Sequence, residues 1–330
     1  MRVFVAGGAG AIGKRLIGQL VARGHQVTAS ATTPIRFTCL RELGCDPIVM
    51  DGLDAQAVLE AVARAEPDVI VHQMTALGGR PDLRHFDRWF ATTNALRTTG
   101  TENLLQAADE NGVRRLVAQS YTGWTNARSG AALKTEDDPL DPTPAPEQVQ
   151  SLAAIRFLED AVTGASLQGV ALRYGALYGA DASQSLVTGV RKRRWPIVGG
   201  GAGVWSWIHV DDAAAATVAA VEGRGRGIYN IVDDDPAPVS EWLPEVARVL
   251  GAKRPHRVPT WTARIGIGSA GVQWMTQARG AVNDKAKREL GWRPMYPTWR
   301  RGFSRMIDPE PFGAVTLDAL IGQSPVSAQS

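Results

Sequence analysis

The sequence contains little cysteine, little histidine and no long hydrophobic run. Among its 330 residues are two cysteines, Cys39 and Cys45, and five histidines. Two cysteines cannot form a disulfide framework and favour a reducing compartment, and the scattered histidines lack the spacing of metal ligands. No stretch reaches the length of a membrane span, and the N-terminus lacks the pattern of a signal peptide. We therefore expect a cytoplasmic protein with no membrane partner and no metal.

The chain also lacks a strong excess of charge of either sign. It has 36 Lys and Arg residues against 33 Asp and Glu, which gives a net charge of +3. Its one dense basic cluster, residues 191–194, is more typical of a solvated helix end than of a phosphate-binding face, so no nucleic-acid partner is expected. With 44% hydrophobic residues, the chain has the composition of a globular protein with one large domain or a large and a small one.

What the sequence does contain is a glycine turn at its start. Residues 2–6 form an apolar run typical of a buried parallel strand, and residues 11–23 have the apolar spacing of a helix. Gly7 would permit the turn, Gly10 the close approach of a pyrophosphate, and Gly13 the packing of the helix on the strand. The N–H groups of a helix N-terminus attract phosphate. The residues predicted to hold the phosphates are Gly7, Gly10, Ala11, Ile12 and Gly13.

Further strands and helices alternate along most of the chain. The predicted strands span residues 25–30, 47–50, 68–71, 114–118, 170–174, 205–209 and 228–232. The predicted helices include residues 54–64, 88–111, 152–162 and 213–221, the last capped by Asp211 and Asp212. Residues 129–148, rich in Pro, Asp and Thr, are predicted to be a long surface loop. This alternation predicts an α/β protein, a Rossmann doubly wound parallel sheet.

The residues after the second strand bear on the choice between NAD and NADP. An acidic residue there would bind the ribose hydroxyls of NAD, whereas an arginine favours the 2′-phosphate of NADP. The sequence has Thr32 and, slightly further on, Arg36, with no carboxylate at this point. This favours NADP slightly over NAD, although Arg36 could also be an exposed residue of the next helix.

Other residues at strand ends are candidates to line the same cofactor. Asp51 follows the third strand, where a carboxylate could accept the adenine amine or could equally belong to a turn. Because ligands bind at the carboxyl ends of parallel strands, the residues after the fourth and fifth strands are candidates too. The predicted cofactor contacts beyond the glycine turn are Thr32, Arg36, Asp51, Gly52, Gln73, Met74, Thr75, Asn94, Gln119, Ser120 and Tyr174.

Seven short motifs in a fixed order resemble the extended short-chain dehydrogenase/reductase family, the epimerase/dehydratase-like group. They are GGAGAIG at 7–13, Asp51, Asn94, LRYGALYG at 172–179, WIHVDD at 207–212, YNI at 229–231 and ELGWRP at 289–294. The resemblance extends to about Phe303 and implies a Rossmann core with a smaller C-terminal substrate domain and bound NAD or NADP. It places the core at 1–174, rejoined by about 204–232, the substrate domain at 175–203 and 233–312, and a flexible tail at 313–330. By analogy, a homodimer would form through helices 88–111 and 152–162.

The family's catalytic tyrosine and lysine are absent from this sequence. In the family these two residues lie four apart on one helix, and the lysine lowers the tyrosine pKa so that the phenol can exchange a proton with the substrate. Aligned on Glu159, the tyrosine position holds Ser151 and the lysine position holds Ile155. No Tyr-x-x-x-Lys pattern occurs elsewhere in the chain.

Three residues could replace the missing proton donor. Tyr121 and Thr122 follow the fifth strand and Tyr174 ends the sixth, beside the expected nicotinamide pocket. Each tyrosine could equally be a wall residue that packs on the cofactor. The sequence thus favours an NAD(P)-dependent oxidoreductase acting on a small or medium carbonyl or alcohol compound. The alternatives are an isomerase, lyase or cyclase with a structural or transiently reduced cofactor, and a nucleotide-sensing protein without catalysis.

Overall fold

The computed structural model describes residues 1–78 and 81–305, which form alternating strands and helices. The strands are β1 Arg2–Ala6, β2 Gln26–Ala31, β3 Asp46–Val49, β4 Val69–His72, β5 Arg115–Tyr121, β6 Leu133–Lys134, β7 Gln168–Tyr174, β8 Ala176–Tyr178, β9 Ile197–Val198, β10 Val204–Trp205, β11 Trp207–His209, β12 Gly227–Ile231, β13 Ala237–Pro238, β14 Arg257–Val258 and β15 Gly280–Ala281. The predicted tail at 313–330 lies outside the described residues.

Thirteen α-helices occur in the same ranges. They are α1 Ala11–Ala22, α2 Phe37–Glu42, α3 Ala55–Ala65, α4 Phe86–Trp89, α5 Ala91–Arg97, α6 Thr99–Glu110, α7 Val149–Gly164, α8 Gln184–Arg191, α9 Val210–Glu222, α10 Val239–Val249, α11 Thr260–Thr276, α12 Asp284–Glu289 and α13 Trp299–Arg305. Among the described residues, no helix is both long and apolar enough to cross a membrane.

A seven-stranded parallel sheet forms the centre of the molecule. Its strand order is β12-β7-β5-β4-β1-β2-β3, and every neighbouring pair is parallel. The order runs outward from β1 in both directions, which creates a topological switch point between β1 and β4. The predicted Rossmann fold is therefore confirmed, and ligands in such sheets bind beyond the carboxyl ends of the strands at this point.

Helices cover both faces of the sheet, because alternate strand residues point to opposite sides. In β1, Val3 and Val5 pack with α1 and α9 on one face. Phe4 and Ala6 pack with α3, α6 and α7 on the other. These side chains are 0–1% exposed, and their burial explains why the strands read as continuous apolar runs.

A second hydrophobic cluster, rich in tryptophan, lies outside the sheet. Trp205 stacks on Trp274 at 4.5 Å between ring centroids, and Trp207 meets Trp242 edge to face at 4.9 Å. Trp207, Trp242 and Trp299 are fully buried. These tryptophans therefore serve as core residues of the C-terminal part of the chain, as aromatic side chains commonly do.

The strand predicted at 205–209 is divided into β10 and β11, which lie outside the central sheet. Three other predicted elements also differ from the observed ones. The predicted helix 88–111 is broken into α4, α5 and α6, with a non-helical backbone at Thr98 (φ −96°, ψ −87°). Helix α9 begins after His209, whose side chain accepts from the N–H of Asp211, so the predicted capping by Asp211 and Asp212 was wrong. Asp212 instead accepts hydrogen bonds from the N–H groups of residues 295 and 296.

The third difference concerns the predicted surface loop at 129–148. It contains strand β6, which pairs with β15, and its Lys134 is buried and bonded to Asp138 and to the carbonyl of Ser129. Asp141 is buried as well and holds Arg128 at 2.8 Å. The polar composition of this segment reflects internal hydrogen bonds and ion pairs as well as contact with solvent.

Candidate functional site

The glycine turn at the carboxyl end of β1 contains the three glycines of the predicted spacing, Gly7, Gly10 and Gly13, and leaves room for a ligand at one of them. Gly7 has φ +87°, and a Cβ there would lie 2.8 Å from the backbone of Gln73. A Cβ at Gly13 would lie 2.6 Å from the carbonyl oxygen of Gly8. Gly10, in contrast, is exposed, has φ −73° and would place a Cβ no closer than 3.4 Å to any neighbour. The protein's own packing therefore requires glycine at 7 and 13, whereas at the exposed Gly10 a side chain would make only an ordinary van der Waals contact.

The electrostatics of this turn suit a phosphate. Helix α1 begins at Ala11, directly after the turn, with Ile12 as its second residue, and its first turn contains no acidic side chain. The first N–H groups of a helix have no partner within the helix and carry a partial positive charge. The turn thus has the shape and polarity that the pyrophosphate of a dinucleotide requires.

The residues predicted at the adenine end lie on the surface beside β2 and β3. Thr32 and Arg36 are exposed just beyond the end of β2. Asp51 is exposed and accepts a hydrogen bond from the N–H of Leu53 at 3.0 Å, which is the turn role that the sequence left open. Gly52 is buried against Met74, whose side chain would collide with an added Cβ.

The predicted residues after β4 lie next to a buried neutral histidine. His72 accepts from the N–H of Met74 at its Nδ1 and contacts the carbonyl of Leu96 through Nε2. Burial lowers the pKa of His72 to about 4, so the ring is neutral. Gln73 is buried, and its Oε1 has no partner among the described residues. Thr75 is half-buried at the same edge.

Tyr174, at the end of β7, is buried and fully hydrogen-bonded. Its hydroxyl lies 2.6 Å from Thr217 Oγ1 and accepts from Gln73 Nε2 at 3.0 Å. Thr217 donates its own hydrogen to the carbonyl of Ala213, so the phenol proton points to Thr217. Burial raises the pKa of Tyr174 to about 12. This environment matches the wall role that the sequence left open.

At the end of β5, alternate side chains have different surroundings. Gln119 and Tyr121 are half-buried, and Tyr121 stacks near Trp124 with 6.2 Å between ring centroids. Its hydroxyl lies close to Gly123, where an added Cβ would come within 3.3 Å. No hydrogen bond within residues 1–78 and 81–305 engages that hydroxyl, and burial raises its pKa. Of the three candidate proton donors, Tyr121 thus has its hydroxyl free for a ligand.

The intervening residues of β5 bond within the protein. Ser120 Oγ donates to Glu159 Oε1 at 2.7 Å. Thr122 is buried, and its hydroxyl exchanges hydrogen bonds with the side chain of Asn126. Neither hydroxyl is left open to a substrate.

On α7, the two positions that hold the catalytic tyrosine and lysine in the family are buried and have no access to a substrate. Ser151 is fully buried, donates to Asp87 Oδ1 at 2.6 Å and accepts from Asn94 Nδ2 at 3.0 Å. Ile155 is 0% exposed and packs in a cluster with Phe86. Neither position can exchange a proton with a substrate. The side-chain amide oxygen Oδ1 of Asn94 has no partner in the described part of the chain.

The sequence analysis missed an aromatic wall and a buried cation at this edge. Phe86 stacks on Phe90 at 4.5 Å and meets Trp124 at 4.9 Å. Arg97 on α5 is 5% exposed, and its guanidinium lies 5.6 Å from the ring centre of Phe90. The sequence carried one signal of it, a charged residue three positions after Asn94 and hence on the same helix face.

No cluster of three or more potential metal ligands occurs in the described ranges. The observed donors at the carboxyl edge are amides, hydroxyls and one guanidinium. Together with the glycine turn, they fit a dinucleotide better than a metal ion.

Comparisons with known proteins show which families and folds this chain is similar to. The model of the NAD dependent epimerase/dehydratase family matches residues 3–231. A 3-diazoavenalumate denitrifying reductase from a Streptomyces species is 43% identical over 310 residues, which cover 92% of this chain and 100% of the relative. A 2-alkyl-3-oxoalkanoate reductase from Stenotrophomonas maltophilia is 30% identical, and the match covers 82% of each chain.

Solved structures share the fold. UDP-glucose 4-epimerase from Thermotoga maritima, with UDP-glucose, superposes with a TM-score of 0.73 at 20% identity, covering 93% of this chain and 98% of the other. A dTDP-glucose 4,6-dehydratase from Streptomyces venezuelae, with NAD bound, gives a TM-score of 0.73 at 23% identity and covers 93% and 96%. At these identities the likeness concerns the fold.

Proposed function

Because the chain belongs to the NAD-dependent epimerase/dehydratase family, we propose that it is an NAD(P)H-dependent reductase that replaces the diazo group of an aromatic compound with hydrogen. The observation that carries this proposal is the closure of α7: Ser151 is bonded to Asp87 and Asn94, and Ile155 is packed in the core. The name of the 43% identical relative, a denitrifying reductase, denotes both reduction and loss of nitrogen, the two parts of the proposed reaction.

The proton balance of this reaction suits a site without the tyrosine–lysine pair. The bound cofactor supplies a hydride, which brings both electrons of the new C–H bond. The C–N bond breaks, and its electron pair leaves with dinitrogen. When the diazo group is the aryl diazonium cation, hydride replaces dinitrogen and no proton is consumed. Reduction of a carbonyl to an alcohol, in contrast, takes up one proton, which a general acid must deliver.

In this proposal the chain's own residues bind and orient the two reactants. The glycine turn and the start of α1 hold the pyrophosphate, and Thr32 and Arg36 approach a 2′-phosphate, which favours NADPH. The aromatic wall of Phe86, Phe90 and Trp124 orients a flat substrate. The further predicted contacts of the cofactor are Asp51, Gly52, Gln73, Met74, Thr75, Asn94, Gln119, Ser120 and Tyr174.

Carbonyl reduction is the second candidate, and one observation favours it. Tyr121 presents a hydroxyl with no hydrogen bond to the described residues, half-buried beside Trp124. A phenol in that position could deliver a proton to a substrate oxygen. The 30% identical relative is a reductase of 3-oxoalkanoates, which are carbonyl compounds.

The test is an isotope-transfer assay with 4-diazobenzoate and NADPH deuterated at C4. We expect enzyme-dependent NADPH consumption, release of dinitrogen and benzoate carrying deuterium at the position that lost nitrogen. Gly10→Glu is the matched control, since its φ of −73° accepts any residue while the new carboxylate repels pyrophosphate. A 3-oxo acid is assayed in parallel. NADPH consumption with the 3-oxo acid alone would replace the first candidate by the second, and consumption with neither would contradict both.

We also propose that the protein is a cytoplasmic homodimer with the domain division predicted above. Both cysteines are free and Cys39 is exposed, which suits a reducing compartment. Helix α7 exposes Val149 and Ala153, and the neighbouring α6 offers a second exposed face, so two such pairs could form a four-helix interface. Sedimentation of wild type and Ala153→Glu tests the dimer: the wild type should sediment as a dimer and the variant as a monomer.

A further inference from the structure

Arg97 is a buried cation whose charge the described residues leave unpaired. Its side chain is 5% exposed, and its Nη1 has no hydrogen-bond partner in residues 1–78 and 81–305. No salt bridge in those ranges includes it. Burying an unpaired charge costs several kcal/mol, so buried cations in proteins are normally paired with an anion.

The groups around Arg97 do not supply that anion. Glu159 attracts its charge, but both oxygens of that carboxylate already accept hydrogen bonds from Arg173 at 2.6–2.7 Å. His72, also close enough to sense Arg97, is neutral because its pKa is about 4. Burial lowers the pKa of Arg97 to about 10, so the guanidinium remains charged at neutral pH.

Arg97 lies at the edge of the sheet where the substrate is expected. It belongs to α5, where the carbonyl of the preceding Leu96 contacts His72 of β4. Burial raises the pKa of the Tyr121 phenol at the end of β5, and the charge of Arg97 is close enough to oppose that rise in part. Its guanidinium lies 5.6 Å from the ring centre of Phe90, which stacks on Phe86. A cation at the end of an aromatic wall is complementary to a flat molecule with an anionic group.

We propose that Arg97 binds the carboxylate of an aromatic acid and so selects acids over neutral compounds as substrates. The inference rests on the proposed function, because it concerns the substrate of the same site. The names of two relatives, a diazoavenalumate and an oxoalkanoate reductase, denote carboxylates. A bidentate guanidinium–carboxylate pair would satisfy Nη1 and balance the buried charge.

The test compares binding of an acid with binding of its neutral amide. Cinnamate and cinnamamide have the same ring and shape. Their binding is measured by the quenching of the fluorescence of the tryptophans near Phe90. In the presence of NADP, we expect wild type to bind cinnamate at least tenfold more tightly than cinnamamide. In Arg97→Met this preference should disappear, and Arg97→Lys should retain part of it. Arg88→Met removes an exposed arginine of the adjacent helix and should leave the preference unchanged.

Two further measurements separate this inference from its rivals. NADPH titration of Arg97→Met should give the wild-type affinity. If the variant loses NADPH, the anion belongs to the cofactor and the proposal is overturned. The urea midpoint of Arg97→Met should equal or exceed that of wild type, since the variant removes an unpaired buried charge; a clearly lower midpoint would mean an internal ion pair and would also overturn it.

The proposal is contradicted if wild type binds acid and amide with equal affinity, or binds neither up to millimolar concentration. If wild type still binds NADPH in that case, the proposed function stands. Failure of wild type to bind NADPH would contradict the proposed function instead.

Discussion

The buried carboxylate of Glu159 and the guanidinium of Arg173 form two parallel hydrogen bonds, Nε to Oε1 at 2.7 Å and Nη2 to Oε2 at 2.6 Å. Ser120 donates to the same carboxylate at 2.7 Å. The Glu159 side chain of α7 is thereby bonded to residues near the carboxyl ends of β5 and β7. The pair holds the helix that carries Ser151 against the carboxyl edge of the sheet, where the cofactor and substrate are proposed to bind.

Loss of this pair should destabilise the fold strongly. In Glu159→Gln the Arg173 charge stays buried without its carboxylate, and we expect the free energy of unfolding to fall by about 3–5 kcal/mol. Urea denaturation measures it. Glu245→Gln, which removes the partner of the exposed Arg248, should change little. Similar small losses in both variants would show that the buried pair contributes no more than a surface pair.

Alanine at two glycines should separate cofactor binding from folding. At Gly13 the new methyl would lie 2.6 Å from the carbonyl of Gly8, so Gly13→Ala should lower the free energy of unfolding by about 1–3 kcal/mol. Gly10→Ala has room and an ordinary φ, so it should unfold like wild type. Its methyl would nevertheless stand where the pyrophosphate approaches, and NADPH titration should show weaker binding. Unchanged NADPH affinity in Gly10→Ala would contradict the predicted phosphate site.

The sequence was sufficient for the sheet because the information there is local. The run at residues 2–6 and the later apolar runs other than 205–209 match strands of the central sheet within one to three residues at each end, since strands buried on both faces need continuous apolar side chains. The run at 205–209 is instead divided into β10 and β11, which lie outside that sheet. The fold class followed from their alternation with helices. The break of helix 88–111 at Thr98 was not predicted, although Thr98, Thr99 and Gly100, residue types with weak helix propensity, follow one another at that point.

The chemistry of the site depends on pairs of side chains that lie far apart in the sequence. Ser151 is explained by its bonds to Asp87 and Asn94, 64 and 57 residues away. Periodicity cannot reveal which distant polar groups will meet, nor which buried cation will lack a partner. For that reason Arg97 was missed, while the glycine turn, whose spacing is local, was found.

Cofactor preference should depend on Arg36. If its exposed guanidinium meets the 2′-phosphate, Arg36→Ala should weaken NADPH binding by about tenfold, equivalent to about 1.4 kcal/mol, and leave NADH binding unchanged. Nicotinamide fluorescence titrations with both cofactors measure this. Arg41→Ala, which removes an exposed arginine stacked over Phe37, is the control. Equal losses of NADH and NADPH would contradict a phosphate contact at Arg36.

Stability should fall with acidity because of His72. Its pKa is about 4 in the folded protein and near 6.5 when unfolded, so folding favours the neutral ring. This contribution is fully present above pH 6.5 and is lost as the pH falls toward 4, up to about 3 kcal/mol. Urea denaturation between pH 7.5 and 4.5 should show a smaller loss for His72→Asn than for wild type. The exposed His85→Asn should keep the wild-type slope, and a wild-type slope in His72→Asn would refute the assignment.

The two tyrosines should respond differently to removal of their hydroxyls. Tyr174 directs its proton to Thr217 and accepts from Gln73, so Tyr174→Phe should cost about 1–2 kcal/mol of stability yet leave turnover within about threefold of wild type. Tyr121→Phe should fold normally, because no hydrogen bond to the described residues is lost. If the substrate is a carbonyl compound, this variant should lower kcat by about 100-fold or more, since the general acid is removed. If the substrate is a diazo compound, kcat should hardly change, because the reaction takes up no proton. Loss of turnover in Tyr174→Phe with NADPH binding intact would instead identify Tyr174 as the proton donor and show that its bond to Thr217 opens during catalysis.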